Sequence, residues 1–169
     1  MTELLTPRLV VRDFVHGDVD DLFAMDSDDR VMRYLGPGLK GRTRAEVEQT
    51  IDRIVERARS RPGCGLLHAS LRDSGEFVGG CGVFPLENTS DTELAYRLPY
   101  AQWGRGFATE MSAAVLHHAF TTLDLSRVIG LTWPENVPSQ RVLEKIGMTF
   151  DHEAVHYGRA MRVYVVDRA

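Results

Sequence analysis

Gln102-Trp103-Gly104-Arg105-Gly106-Phe107-Ala108-Thr109-Glu110 leads into a run whose apolar residues recur at helical spacing. Phe107, Met111, Ala114, Val115 and His118 fall on one face, which predicts a helix to about Leu123. Gly104 and Gly106 alternate with Arg105 at a strand-to-helix junction, where successive amides can turn inward and the helix dipole favours an anion. A Cβ at either glycine would hold phosphates away or forbid positive φ, while Arg105 offers a charge-assisted contact. The stretch suits a diphosphate. Taken alone it also describes a tight turn before a helix, so its neighbours must decide.

Two other nucleotide signatures fail. The dinucleotide fingerprint needs a third glycine three residues after Gly106, and Thr109 stands there. Gly36-Pro37-Gly38-Leu39-Lys40-Gly41-Arg42-Thr43 copies the spacing of a phosphate loop, but Arg42 replaces the lysine and no strong strand precedes it. It reads as a loop between helices.

Upstream, Arg8 to Phe14 is β-rich, and His16-Gly17-Asp18 punctuates it before Asp18 caps a helix through Leu22, Phe23 and Met25. Val47, Ile51, Ile54, Val55 and Ala58 place a second helix between Thr43 and Arg61-Pro62-Gly63. Leu66 to Leu71 and Phe77 to Phe84 form a hairpin across Arg72-Asp73-Ser74-Gly75-Glu76, and Glu93 to Leu98 follows the turn Glu87-Asn88-Thr89-Ser90-Asp91 as a third strand. Downstream, Arg127 to Thr132 is a strand. A short helix opens at Asn136 with Pro138 in its first turn and closes at Gly147, before strands Met148 to Tyr157 and Met161 to Val166. The order β-α-α-β-β-β-α-β-α-β-β predicts one α/β (α+β) domain over residues 1–169.

The chain has 169 residues, 43% hydrophobic and 26% charged, which fits one ordinary domain with a sizeable core. No window approaches the roughly 18 to 20 apolar residues of a membrane span, and the first seven residues lack the form of a signal peptide. A cytoplasmic location is expected, with no membrane partner. A net charge of −4 argues against a broad grip on nucleic-acid phosphates. Cys64 and Cys81 are read as free thiols in or near strands, and neither they nor the six histidines have metal spacing. No metal is expected.

Three stretches in this order and spacing carry a resemblance: Glu93-Leu94-Ala95-Tyr96-Arg97-Leu98, then Gln102 to Glu110, then Asn136-Val137-Pro138-Ser139-Gln140-Arg141-Val142-Leu143-Glu144-Lys145-Ile146-Gly147-Met148. Together they resemble the GNAT family of N-acetyltransferases, in particular the branch of ribosomal-protein N-terminal alanine and serine acetyltransferases (RimJ/RimL-like). With Thr6-Pro7-Arg8-Leu9-Val10-Val11-Arg12, the likeness covers nearly the whole chain. It implies a mixed, mostly antiparallel central sheet flanked by helices, and acetyl-CoA as co-substrate.

The resemblance also implies roles. The pyrophosphate would sit on Gln102, Trp103, Gly104, Arg105, Gly106, Phe107, Ala108 and Thr109. A bulge in the strand Glu93 to Leu98 would splay it from the next strand and leave amides near Arg97 and Leu98 for the pantetheine arm and thioester carbonyl. Glu93, beside that strand, is the candidate base for the acceptor amine, against a surface ion pair. Many relatives place a tyrosine acid where Leu143 stands. Ser139, three residues after Asn136, fits the serine proposed instead, with Asn136 on the pantetheine; helix capping is the alternative for both.

The acceptor would be a primary amine, on a small molecule or a protein N-terminus. Asp18, Asp20, Asp21, Asp26, Asp28 and Asp29 crowd the region that borders the acceptor cleft in this family, which would suit a cationic acceptor, although such charge runs also form solvated faces. Tyr34, Tyr96, Tyr100, Trp133 and Tyr157 are pocket or packing residues. The missing tyrosine at Leu143 leaves a second possibility, a non-catalytic acyl-CoA-binding regulatory or scaffold module. A monomer and a homodimer are both compatible with the sequence.

Overall fold

A computed structural model describes residues 2–36, 38–86 and 88–169; Met1, Pro37 of the loop between helices and Glu87 of the polar turn lie outside it. The strands are β1 (Glu3–Leu5), β2 (Leu9–Asp13), β3 (Gly65–Leu71), β4 (Phe77–Pro85), β5 (Thr92–Arg97), β6 (Arg127–Thr132), β7 (Thr149–His156) and β8 (Arg159–Asp167). The helices are α1 (Val19–Asp26), α2 (Asp29–Met32), α3 (Arg44–Ser60), α4 (Phe107–Thr121) and α5 (Val137–Lys145), with single 3-10 turns at His16–Asp18 and Tyr100–Gln102. One eight-stranded sheet runs β1-β2-β3-β4-β5-β6-β8-β7, and every adjacent pair is antiparallel except β5 with β6.

The mixed, mostly antiparallel sheet flanked by helices agrees with the expected fold class. Two elements are missing from the sequence-derived order. β1 has three residues and α2 four, each shorter than the window in which a period can register. β1 is held as a hairpin on β2, where Thr6 Oγ1 accepts from the Leu9 amide at 2.9 Å. α2 is one turn whose N-cap, Asp28, accepts from the Arg30 amide at 2.9 Å.

Local signals explain the longer helices. Thr43 and Glu46 form a reciprocal capping box at the start of α3, whose buried Val47, Ile51 and Val55 match the predicted face. Asp18 precedes α1 but does not cap it with its side chain. Its carboxylate accepts instead from both terminal nitrogens of Arg12 at 2.8 Å and from the Val15 amide at 2.9 Å. Both cysteines are free, and burial pushes the Cys81 thiol on β4 up to about 12.

The sheet carries a separate core on each face. Leu94, Val128, Leu143 and Tyr164 join Phe107, Met111 and Val115 of α4 in one cluster. Phe14, Leu66 and residues of α1 and α3, including Leu22, Met25, Val47 and Ile51, form a second. Ile129 and Val163, with Leu131 and Val165 against them, form a third. Because side chains alternate along a strand, Leu94 and Tyr96 share one face of β5, and Glu93, Ala95 and Arg97 share the other.

Candidate functional site

β5 and β6 meet at a single pair, Glu93 with Ile129. From Leu94 onward, the side of β5 that faces β6 has no strand partner. The expected bulge is absent: β5 pairs with β4 without a shift from Pro85–Thr92 to Gly80–Arg97. Splaying alone opens the gap, and a cavity of about 740 Å³ fills it. Residues 94–98, Leu131, Thr132, Asn136, Ser139 and the start of α4 all line this cavity.

The loop ahead of α4 presents a run of free backbone donors. Gly104 and Gly106 have φ of +73° and +81°, and a Cβ on Gly104 would project into open space. Among the described residues, the amides of Gly104, Arg105, Gly106, Phe107, Ala108 and Thr109 donate to no protein acceptor; the first helical bond at this end is Glu110 to Gly106, at 3.1 Å. Such a run of free donors at the positive end of a 15-residue helix fits a diphosphate.

Side chains around the loop act as its frame. Arg105 does not line the cavity; it donates to Gln102 Oε1 at 2.5 Å and stacks over Phe107, 4.8 Å from the ring centre. Buried Gln102 in turn donates to Glu76 Oε1 at 2.7 Å, and Trp103 Nε1 donates to the Leu98 carbonyl at 2.9 Å. Glu110 gathers the other side, accepting from Thr6 Oγ1 at 2.6 Å, the Arg8 amide at 2.8 Å and Arg8 Nε at 2.6 Å. The charge-assisted contact expected of Arg105 is therefore directed into the loop, away from the cavity.

On the α1 face of β5, Glu93 is buried and accepts from the Tyr157 hydroxyl at 2.5 Å. Burial raises its carboxyl above the ordinary value, and the Tyr157 hydrogen bond offsets only part of that rise. The surface ion pair considered for Glu93 is thus replaced by a buried carboxyl under a phenol. Arg97 is committed elsewhere: Nε and one terminal nitrogen meet the fully buried Asp26 at 2.7 and 3.0 Å, and Arg42 approaches the same carboxylate at 3.3 Å. Only the backbone of Arg97, with Leu98, remains for the cavity.

On the opposite face, the Tyr96 hydroxyl lies 2.8 Å from Ser139 Oγ and 3.1 Å from the Ser139 carbonyl. Burial raises the Tyr96 phenol well above its ordinary value. Asn136 caps α5, accepting from the Ser139 amide at 3.4 Å, while both residues also line the cavity. Leu143 is buried against Gly130, so its position supplies no hydroxyl. The Tyr96–Ser139 and Glu93–Tyr157 pairs were invisible in the sequence because their partners are 43 and 64 residues apart.

The aspartates do not face the cavity as an acidic wall. Asp18 pairs with Arg12, Asp20 with Arg44, Asp26 with Arg97 and Arg42, and Asp28 with Arg30. Asp29 accepts from the Gly41 amide at 2.6 Å, and Asp21 meets His68 Nε2 at 3.0 Å. Asp18, Asp21 and His68 are the one group of metal-ligand types brought together among the described residues, and Arg12 already spans Asp18 with both terminal nitrogens. No helix of the described residues is long and apolar enough to cross a membrane.

Comparison with known proteins places this geometry. Residues 8–149 match the family model of the acetyltransferase (GNAT) domain. The N-acetyltransferase YoaA of Bacillus subtilis is 31% identical over 160 residues, covering 90% of this chain and 84% of its own. An acetyltransferase structure from Agrobacterium tumefaciens has a TM-score of 0.84 at 25% identity, covering 99% and 95% of the two chains. Mycobacterium smegmatis RimJ, solved in complex with CoA-disulfide, has a TM-score of 0.78 at 21% identity, covering 98% of this chain and 86% of that one. With its parted strands and glycine loop in the order this family uses, the chain belongs to the GNAT acetyltransferases.

Proposed function

We propose that this enzyme moves the acetyl group of acetyl-CoA directly to a primary amine in a ternary complex, with residues 1–169 acting as one domain. The observation that carries the proposal is the cavity between β5 and β6, which joins the loop of unpartnered amides, lining it with Gly104, Gly106, Phe107, Ala108 and Thr109, to a buried carboxyl at Glu93. Acetyl-CoA supplies the activated thioester; everything else is done by the protein.

Gly104 to Thr109 hold the pyrophosphate through their amides. Backbone at Arg97 and Leu98 on the side of β5 turned to the cavity and the side chain of Asn136 align the pantetheine, and an amide directed at the carbonyl stabilises its developing negative charge, an effect worth about 3 kcal/mol. Glu93, as the carboxylate, takes a proton from the incoming ammonium on the α1 face, directly or through one water. Its raised pKa brings it closer to the working pH, where a base is most effective. Ser139 lies across the strand and donates a hydrogen bond toward the departing sulfur, while Tyr96 donates to Ser139 Oγ. Alternation along β5 thus puts Glu93 and Tyr96, the partner of Ser139, on opposite faces of the strand.

The competing reading, an acyl-CoA-binding module without catalysis, drew on Leu143. The Tyr96–Ser139 pair weakens it by supplying a hydroxyl one turn earlier on α5, at Ser139, paired with Tyr96 of β5. The deciding experiment follows free thiol release from acetyl-CoA across small amines and peptides with free N-termini. Turnover with at least one acceptor, reduced in Glu93→Gln, is expected; tight acetyl-CoA binding with no turnover across the panel would favour the binding module.

A further inference from the structure

Once the aspartates of α1 and α2 are paired, the acceptor face is dominated by cations. Among the described residues, Glu93 is the only acidic one lining the main cavity, against Arg30, Arg33 and Arg97 from the α1 side and Arg141 and Lys145 from α5. Arg97 is neutralised by Asp26, and Arg30 by Asp28 at 2.5 Å. Arg33 is different: it is exposed, its guanidinium lies 5.2 Å from the Tyr34 ring, and it forms no ion pair among the described residues.

A second groove of about 550 Å³ shares Arg30 and Arg33 with the cavity and adds Lys40 and Trp133. Lys40 is also exposed and without an ion pair among the described residues. The groove's one acid among the described residues, Asp29, is turned to the Gly41 amide, so the groove's cations outnumber it. Trp133 gives the groove a firm wall: Tyr34 packs edge-on at 5.2 Å, and Arg159 stacks 3.4 Å from the ring centre. Two unpaired cations beside a rigid aromatic wall, next to the cavity that holds a lone carboxyl, make a site for a molecule with an amine at one end and negative charge at the other.

We propose that the acceptor is an amine bearing carboxylate or other anionic groups, its amine directed to Glu93 and its negative charge held by Arg33 and Lys40. This rests on the acetyltransferase function above and reverses the cationic preference suggested by the aspartate-rich sequence. A carboxylate-bearing small amine and a protein N-terminus followed by acidic residues share this chemistry.

The test measures kcat/KM by thiol release. One arm uses three peptides with free N-termini, identical except for two aspartates, two asparagines or two lysines at positions two and three. The other arm uses free aspartate, asparagine and a diamine. An acidic acceptor should exceed its neutral counterpart by about fivefold or more, as two solvent-exposed ion pairs allow. That ratio should shrink with added salt, fall toward one in an Arg33→Gln, Lys40→Gln double variant, and invert in favour of the cationic acceptor in the Arg33→Glu, Lys40→Glu variant. The arm that shows the preference identifies the source. Equal or cation-favouring rates in the unaltered protein overturn the inference and leave acetyl transfer standing. So does a rise in the acetyl-CoA KM, rather than the acceptor KM, in either double variant. No turnover in either arm overturns both.

Discussion

At Glu93 the cost of burial falls on the charged form, so the folded protein holds that proton to a higher pH than the unfolded chain does. If the carboxylate is the base, kcat/KM should rise with pH through this raised value. Tyr157→Phe removes the donor that favours the carboxylate and should move the limb further upward; a downward move in the pH–rate profile would contradict the assignment. Glu93→Gln should lower kcat by about a hundredfold or more. Its effect on stability has the opposite sign. Stability linked to Glu93 falls as pH rises from the unfolded value through the raised folded one, because the folded state binds the extra proton there. Above that window the variant is relieved of a buried charge, so its thermal midpoint at pH 8 should match or exceed that of the parent. Across β5, Tyr96→Phe and Ser139→Ala should be strongly coupled: if the two hydroxyls work as one relay, the double variant loses little more than the worse single one. Additive losses in kcat would assign them independent roles.

At the scale of elements, α4 owes its anion seat to a collar that holds its first turn. Glu110 ties that turn to Thr6 and Arg8, and Arg8 also donates to the Arg105 carbonyl at 3.0 Å. Although partial burial raises the Glu110 pKa, its hydrogen bonds to Thr6 and Arg8 outweigh that and hold it below the ordinary value. A depressed carboxyl contributes stability that is present above its unfolded value and is lost as pH falls through the folded one. Glu110→Ala should therefore cost about 1.5–3 kcal/mol at neutral pH and weaken acetyl-CoA binding, measured by urea unfolding and calorimetry. Gly106→Trp should abolish that binding while keeping the circular-dichroism spectrum; unchanged affinity would move the pyrophosphate elsewhere. The long elements were legible because their periods are carried by many residues, as with Val47, Ile51 and Val55 of α3. Glu3–Leu5 and Asp29–Met32 were not, since each is held by contacts outside itself. The loop's glycines announced an anion seat; the free donors found there are backbone amides, while Arg105 turns into the loop.

The whole molecule is two parts of a sheet, β1 to β5 and β6 to β8, joined at one strand pair and bridged by α4, α5 and the packing of Trp133 on Tyr34. This is where sequence reading stopped. Residues such as Glu93 and Tyr157 lie far apart in the chain, and no local pattern records that the strands between them part, because the parting depends on what packs against each strand. A ligand seated in the gap touches both parts and replaces the strand pairing that β5 lacks beyond Glu93. Binding should therefore stabilise the fold as a whole rather than order one loop. At coenzyme A concentrations about a hundredfold above Kd, linkage gives about 2.7 kcal/mol, which for a chain of 169 residues corresponds to a rise in Tm of about 5–10 °C. Hydrogen exchange should slow in two separate segments at once, 94–98 at the end of β5 and the loop from Gly104 to Thr109, since Gly104, Gly106, Phe107, Ala108 and Thr109 line the cavity together with 94–98. Slowing confined to 104–109 would mean that the pyrophosphate is held while the pantetheine lies outside the gap, and Glu93 and Ser139 would then be too far from the thioester for the roles assigned to them.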